Sequence, residues 1–244
     1  MRPSYLPAVI RTIPIYVVDL VLFPRQQLEL NADEPRHRQL VDDCMQGDGQ
    51  FGVCLAKEGG SANGREVPRE VGTIAKILKC HDVGPGGQRL KIEAMGRNPF
   101  RIRRIIEPSP LPRPDPTTAG GAMRGPDGGR GAGQDDDRGK MYVRAEVETL
   151  REIDDKIPLA AWEQLVFLWK EGAVARAGGK SETVTPQALD GMLERYYLLT
   201  DTPTAEYVYS LCALASSKPE DLQVLLETGS VDELMRKAVT LMKS

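Results

Sequence analysis

An α+β chain is predicted, with a sheet-rich part first and a helical bundle after it. Three observations predict it. Up to about residue 106, short runs rich in Val, Ile, Tyr and Phe alternate with turn signals. YVRAEVETL (142–150) resumes that alternation after a Pro/Gly-rich interruption, with Val143, Ala145 and Val147 on one side. From about Ile153 onward, apolar residues recur at helical spacing.

The first run, IPIYVVDLVLFPRQQLEL (13–30), places Ile15, Val17, Leu22 and Phe23 in the sheet core and has Pro24 turn the chain out of the first strand. Leu28 and Leu30 then share one face of a second strand. Asp33 is a candidate cap for a short helix with Pro35 in its first turn, an apolar stripe of Leu40, Val41, Cys44 and Met45, and an end at Gly47. In FGVCLAK, Phe51, Val53 and Leu55 alternate with smaller residues, and GGSANGREVPRE reads as an exposed loop. VGTIAKILK and RLKIEAMG flank Gly84-Pro85-Gly86-Gly87 as a hairpin, with Leu90, Ile92 and Ala94 on its inner face.

Residues 108–140 carry six prolines, eight glycines and no aromatic residue, too little apolar surface to offset the entropy of ordering, so a flexible insertion is expected there. The organisation is therefore 1–152 for the sheet part, interrupted by the insertion, and 153–244 for the bundle. In the bundle, Leu159, Trp162, Val166 and Trp169 mark the first helix behind Pro158. Thr185-Pro186 opens a second running through Leu189, Leu193 and Tyr196 or Tyr197. TPTAEYVYSLCALA and KPEDLQVLLE supply two more, and Ser230 with Glu233 forms a capping box for the last, whose face is Val231, Leu234, Ala238 and Leu241.

Composition narrows the function classes. The 244 residues have a formal net charge of −3, with no global positive excess to draw a nucleic acid. The longest apolar runs fall short of the ~20 residues that span a bilayer, and MRPSYLPAVIRTIP lacks a signal-peptide core, so the expected location is the cytoplasm, with no membrane partner. Cys44, Cys54, Cys80 and Cys212 lie far apart and the only histidines are His37 and His81, so metal-ligand spacing is absent and the cysteines read as small buried apolar residues.

No pattern assembles a catalytic or cofactor site. GGKS (178–181) lacks the preceding glycine of a phosphate loop, since position 174 is valine, and GGRGAGQ (128–134) lies inside the insertion. Cys80 and His81 would point to opposite faces of a strand. Asp135, Asp136 and Asp137 read as a solvated acidic run. The basic stretch RNPFRIRR (97–104) would bury Phe100 and Ile102 and present Arg101 and Arg103, with Arg97 and Arg104 nearby, as a contact for phosphates. The competing reading pairs those arginines with neighbouring carboxylates, and it is preferred because no exposed aromatic set is interleaved for base stacking.

Taken in order, these segments resemble the N-terminal, substrate-recognition domain of ATP-dependent Lon proteases. The resemblance rests on IPIYVVDLVLFPRQQLEL, FGVCLAKE (51–58), EVGTIAKILKC (70–80), RLKIEAMGRNPFRI (89–102), YVRAEVETL and LQVLLETGSVDELMRKAVTLM (222–242). It spans nearly the whole chain. Two departures stand out: Pro99-Phe100 replaces the family's usual Arg-Phe, and the 108–140 insertion is unusually long. The resemblance implies a PUA-like pseudo-barrel joined to helices, with a cleft between them that binds polypeptide. It implies no enzyme activity, because the expectation is a stand-alone domain without the ATPase and Ser-Lys peptidase modules. The expected partners are unfolded or partner polypeptides, with a separately encoded protease or ATPase as a further candidate, and no cofactor. Tyr16, Trp162, Trp169 and Tyr197 are the candidate polypeptide contacts. The alternative is an RNA-binding module using Arg97, Arg101, Arg103 and Arg104.

Overall fold

The computed structural model describes residues 10–62, 65–83, 89–109, 139–153, 156–176 and 185–243. Strands β1 (Ile10–Val18) and β2 (Gln27–Ala32), helix α1 (Pro35–Gln46), and strands β3 (Gln50–Ala62), β4 (Arg65–Pro68), β5 (Val71–Asp82), β6 (Leu90–Ile106) and β7 (Arg144–Thr149) come first. Helices α2 (Leu159–Arg176), α3 (Pro186–Arg195), α4 (Ala205–Ala215), α5 (Pro219–Leu226) and α6 (Val231–Met242) follow. The result is the α+β arrangement expected, with one helix set among the strands.

Hydrogen-bonded neighbours run β1-β7-β6-β5-β3, and β1 returns to pair in parallel with β3, Ile15 opposite Gly52 and Val18 opposite Leu55. The sheet thereby closes on itself as a small barrel. The long β6 pairs with β2 along its first half and with β7 along its second. Inside, Ile13, Ile15, Cys54, Ile74, Phe100, Ala145 and Val147 form one cluster. Outside it, α1 covers a second cluster that includes Tyr16, Leu22, Leu40, Val41, Phe51, Val53 and Ile92. Covered on both faces, the strands bury consecutive residues, and Phe51 to Leu55 are buried without a break.

A third cluster belongs to the helices, and it reaches into the barrel. Trp162, Leu165, Trp169, Leu189, Leu193, Val208, Leu211 and Leu234 pack with Val21, Phe23, Leu55 and Val71. Phe23 is fully buried there, its ring stacked on Tyr209 with centroids 4.3 Å apart. The expectation of sheet core for Leu22 and Phe23 thus splits: Leu22 packs in the cluster under α1 while its neighbour anchors the helices. Extended backbone sends adjacent side chains to opposite sides, and here both sides are apolar interiors. Polar links reinforce the seam. Arg25, at φ 62°, pairs with Glu206 at 2.6 Å and Glu152 at 3.3 Å, and buried Gln223 donates from Nε2 to the Val71 carbonyl at 3.0 Å.

Several local expectations are corrected. GGSANGREVPRE is not a simple loop: β3 continues to Ala62 and pairs with β4, Ala56 opposite Pro68 and Ser61 opposite Glu66, with a bulge over the residues between. β1 ends at Val18, before Pro24, so the proline turns the chain into β2. Glu34, not Asp33, occupies the α1 N-cap and makes no side-chain cap bond; Pro35 suffices because it removes one of the orphan donors. Met45 is exposed while Leu40, Val41 and Cys44 are buried. Thr185 and Ser230 cap α3 and α6 by accepting from the N–H groups of Ala188 and Glu233, and Glu233 returns a bond to the N–H of Gly229, one residue earlier than a strict capping box. Cys44, Cys54 and Cys212 are buried and Cys80 is half-buried; burial pushes the Cys44 and Cys212 thiols up to about 12. The Gly84 to Gly87 turn, GGKS, GGRGAGQ, the three aspartates and most of the 108–140 insertion lie outside the described residues. Its two ends are pinned together where Ser109 donates to the Lys140 carbonyl at 2.9 Å.

Candidate functional surfaces

Three of the four aromatic candidates are interior. Tyr16 is 5% exposed, stacks on His37 with centroids 4.2 Å apart, and donates its hydroxyl to the Asn31 carbonyl at 3.0 Å. Burial, then the charges of Glu34 and Asp33, push its pKa up to about 12. Trp162 and Trp169 are 3% and 2% exposed. Their seven-residue spacing puts them on one face of α2 with Leu165, and that face meets the helical core. As contacts for a partner Tyr16 and Trp169 are withdrawn, because their surface is already used, whereas Trp162, though interior, borders a cavity at the surface of α2. Tyr197 is the opposite case: at φ 55° it closes α3 and is 85% exposed.

Other large apolar side chains are exposed as well: Leu159, Phe167 and Val174 on α2, Met192 on α3, and Tyr196 and Leu199 just beyond it. On α2, Leu159, Phe167 and Val174 fall within one arc at 100° per residue, an arc that adjoins the side of Trp162 and also carries Glu163 and Lys170. A cavity of about 340 Å³ lies between Leu159, Trp162, Glu163 and Val166 on one side and Leu198, Leu199 and Thr200 on the other. Lys170 pairs with Asp190, tying α2 to α3. Sequence reasoning missed Phe167 and Leu199. The usable signal was that LAAWEQLVFLWKEGAVA is apolar nearly all round, which a helix with only one buried face does not need.

The seam between barrel and helices opens into two adjoining cavities that share Lys57. One, of about 450 Å³, is edged by Asp19, Glu58, Glu66 and Glu220; the other, of about 500 Å³, by Arg69, Arg101 and Lys237 with Glu70 and Glu227. The cleft is therefore acidic at one end and mainly basic at the other.

The basic strand does not form one continuous face. Arg103 pairs with Glu148 and Arg104 with Glu146, whose carboxyl is held below the usual range chiefly by the hydrogen bond from Arg104. Arg101 edges the basic end of the cleft, and Arg97 edges a separate cavity beside Arg11 and Lys76. Two bulges on β6 explain the dispersal. One extra residue sits opposite Ile74, between the Thr73–Pro99 and Ala75–Gly96 pairs, and another between the Ile102–Val147 and Arg104–Glu146 pairs. The first bulge turns Arg97 with Asn98 to the side of Ile74, whereas the second brings Arg104 onto the side of Arg101 and Arg103, where Glu146 and Glu148 lie.

Among the described residues, no three His, Cys, Asp or Glu side chains are placed to share a metal ion, and no helix is long and apolar enough to cross a membrane.

Comparison with known proteins places these features in a family. The description of the ATP-dependent protease La (LON) substrate-binding domain matches residues 12–244. No curated protein sequence matches. Among solved structures, a Lon N-terminal domain protein from Xanthomonas campestris aligns at TM-score 0.58 and 19% identity, over 96% of this chain and 98% of that one. The N-terminal domain of a Mycobacterium avium complex Lon protease aligns at TM-score 0.56 and 17% identity, over 96% and 99%. The barrel and helices share the architecture of those two structures, and with the match over residues 12–244 this chain belongs to the Lon protease substrate-binding domain family.

Proposed function

We propose that this chain is a non-catalytic polypeptide-binding domain that takes exposed apolar segments of unfolded proteins on the α2–α3 surface. The observation that carries the reading is the number of large apolar side chains exposed on α2, on α3 and just after it, Leu159, Phe167, Val174, Met192, Tyr196, Tyr197 and Leu199, with a cavity between α2 and residues 198–200. Release of water from such a patch recognises unfolded chains without sequence rules. A bound polypeptide would then pass to a protease or ATPase acting in concert with this domain. RNA binding along 97–104 is not favoured, because Arg103 and Arg104 are already paired with glutamates.

Fluorescence anisotropy of a labelled, permanently unfolded protein tests this. Phe167→Gln, Tyr197→Asn and Leu199→Gln together are expected to weaken binding at least tenfold, since each buried apolar side chain contributes about 1.5–3 kcal/mol. Asparagine tolerates the left-handed backbone at 197, and all three positions are exposed, so the fold is kept. High salt should leave the binding of the unmodified chain intact. Equal affinity of the triple variant, or binding abolished by salt, would overturn the proposal.

A further inference from the structure

The cavity beside Arg97 lies at one rim of the barrel, and every strand of the closed ring contributes to it. Arg11 comes from β1, Gln50 from β3, Ile74 and Lys76 from β5, Arg97 and Asn98 from β6, and Thr149 from β7. Its volume is about 320 Å³. Barrel mouths are common ligand sites, and this one is set on rigid strands.

The bulge in β6 is what builds it. In a regular strand Arg97 and Asn98 would point to opposite faces. Here the extra residue opposite Ile74 lets both line the same cavity. The charge balance is positive. Three cations, Arg11, Lys76 and Arg97, meet one carboxylate in contact with them, Asp48. Its Oδ2 lies 3.5 Å from Nη1 of Arg11, its backbone carbonyl accepts from Lys76 Nζ, and its Oδ1 accepts from the Gln50 N–H at 3.0 Å. Nη2 of Arg11 donates to Oε1 of Gln50 at 2.7 Å, which fixes the guanidinium at the rim. Nε of Arg11 is buried with no hydrogen-bond partner among the described residues. Arg97 is exposed and makes no ion pair among them.

We propose that this rim is a binding site for a phosphate-class oxyanion, held by Arg97 and Lys76 with Arg11 behind them and the Asn98 amide and Thr149 hydroxyl as neutral donors. Guanidinium and ammonium groups on separate strands converge on one small volume, an arrangement that suits a compact, multiply charged anion. The site is distinct from the α2–α3 surface and does not depend on polypeptide binding there.

Isothermal titration of the full chain at low ionic strength with inorganic phosphate, tripolyphosphate and a single-stranded RNA oligonucleotide tests it. Saturable binding of at least one phosphate or polyphosphate is expected. Arg97→Gln should weaken it about tenfold or more, as for other hydrogen bonds to charged groups, and adding Lys76→Gln should abolish it. Arg97→Lys should recover part of the loss. In ¹H–¹⁵N spectra the side-chain amides of Gln50 and Asn98 should shift on titration. RNA binding that is lost with Arg97→Gln would identify a nucleic-acid phosphodiester as the source of the same group. No binding of any of the three probes, or equal weakening by Arg103→Gln with Arg104→Gln, would overturn the proposal, the latter because it signals a diffuse field rather than a site.

Discussion

Phe23→Ala is expected to lower the unfolding free energy by about 3–5 kcal/mol, the range for truncating a fully buried phenylalanine. The ring has no exposed surface, and its stacking on Tyr209, nearly parallel at 10°, adds to the loss beyond area alone. What distinguishes this residue from other core aromatics is its position. It leaves the 21–26 segment on the barrel side and ends in the helical core against Tyr209 of α4, so its removal weakens the contact between the two halves as well as the core. Urea unfolding followed by far-ultraviolet circular dichroism should therefore lose its single transition and show the helices melting first. Phe23→Leu, which keeps most of the volume, should retain one transition at lower midpoint. A loss below about 1 kcal/mol for Phe23→Ala, the size of an average substitution, would mean that the halves are held by the Arg25 and Gln223 links instead.

Much of this architecture was legible because it follows periodicity and capping. The segregation of strands from helices, the Thr185 and Ser230 caps, the buried stripe of α1 and the β5–β6 pairing all come from local chemistry. What escaped depends on where a side chain's second face goes. Adjacent apolar residues such as Leu22 and Phe23 look alike in a sequence, yet they enter different cores. Trp162 and Tyr197 look alike as aromatic candidates, yet one lies on the helix face that meets α4 and α6 and the other follows a helix end. The basic strand follows its preferred reading, with Phe100 buried and Arg103 and Arg104 paired with glutamates, and only the placement of Arg97 escaped. A bulge inserts a residue without any obligatory residue type, so nothing in the sequence marked Arg97 as turning with Asn98 toward the rim of the barrel.

Gly96→Ala is expected to cost about 3 kcal/mol or more, at or above the usual range for overpacking, because the clash is with backbone. A Cβ there would stand 2.2 Å from the Phe23 carbonyl oxygen. That oxygen cannot retreat freely. The Gly96 N–H donates to the Gln26 carbonyl at 2.9 Å, the Arg25 N–H donates to the Gly96 carbonyl at 2.9 Å, and the Thr73 hydroxyl donates to the Leu22 carbonyl at 2.5 Å. Moving the 22–26 segment breaks some of these bonds and withdraws Phe23 from the helical core. The two changes therefore act on one element, and combining Gly96→Ala with Phe23→Ala should cost less than their sum by at least about 0.5 kcal/mol, the margin that marks coupled sites. Gly191→Ala is the control: it sits within α3 with open space around it and should stabilise by about 0.5–1 kcal/mol through helix propensity alone. Strict additivity of the Phe23 and Gly96 changes would show that the strand absorbs the added methyl by bending β6 instead, and that the 22–26 crossing is not the rigid tie between barrel and helices.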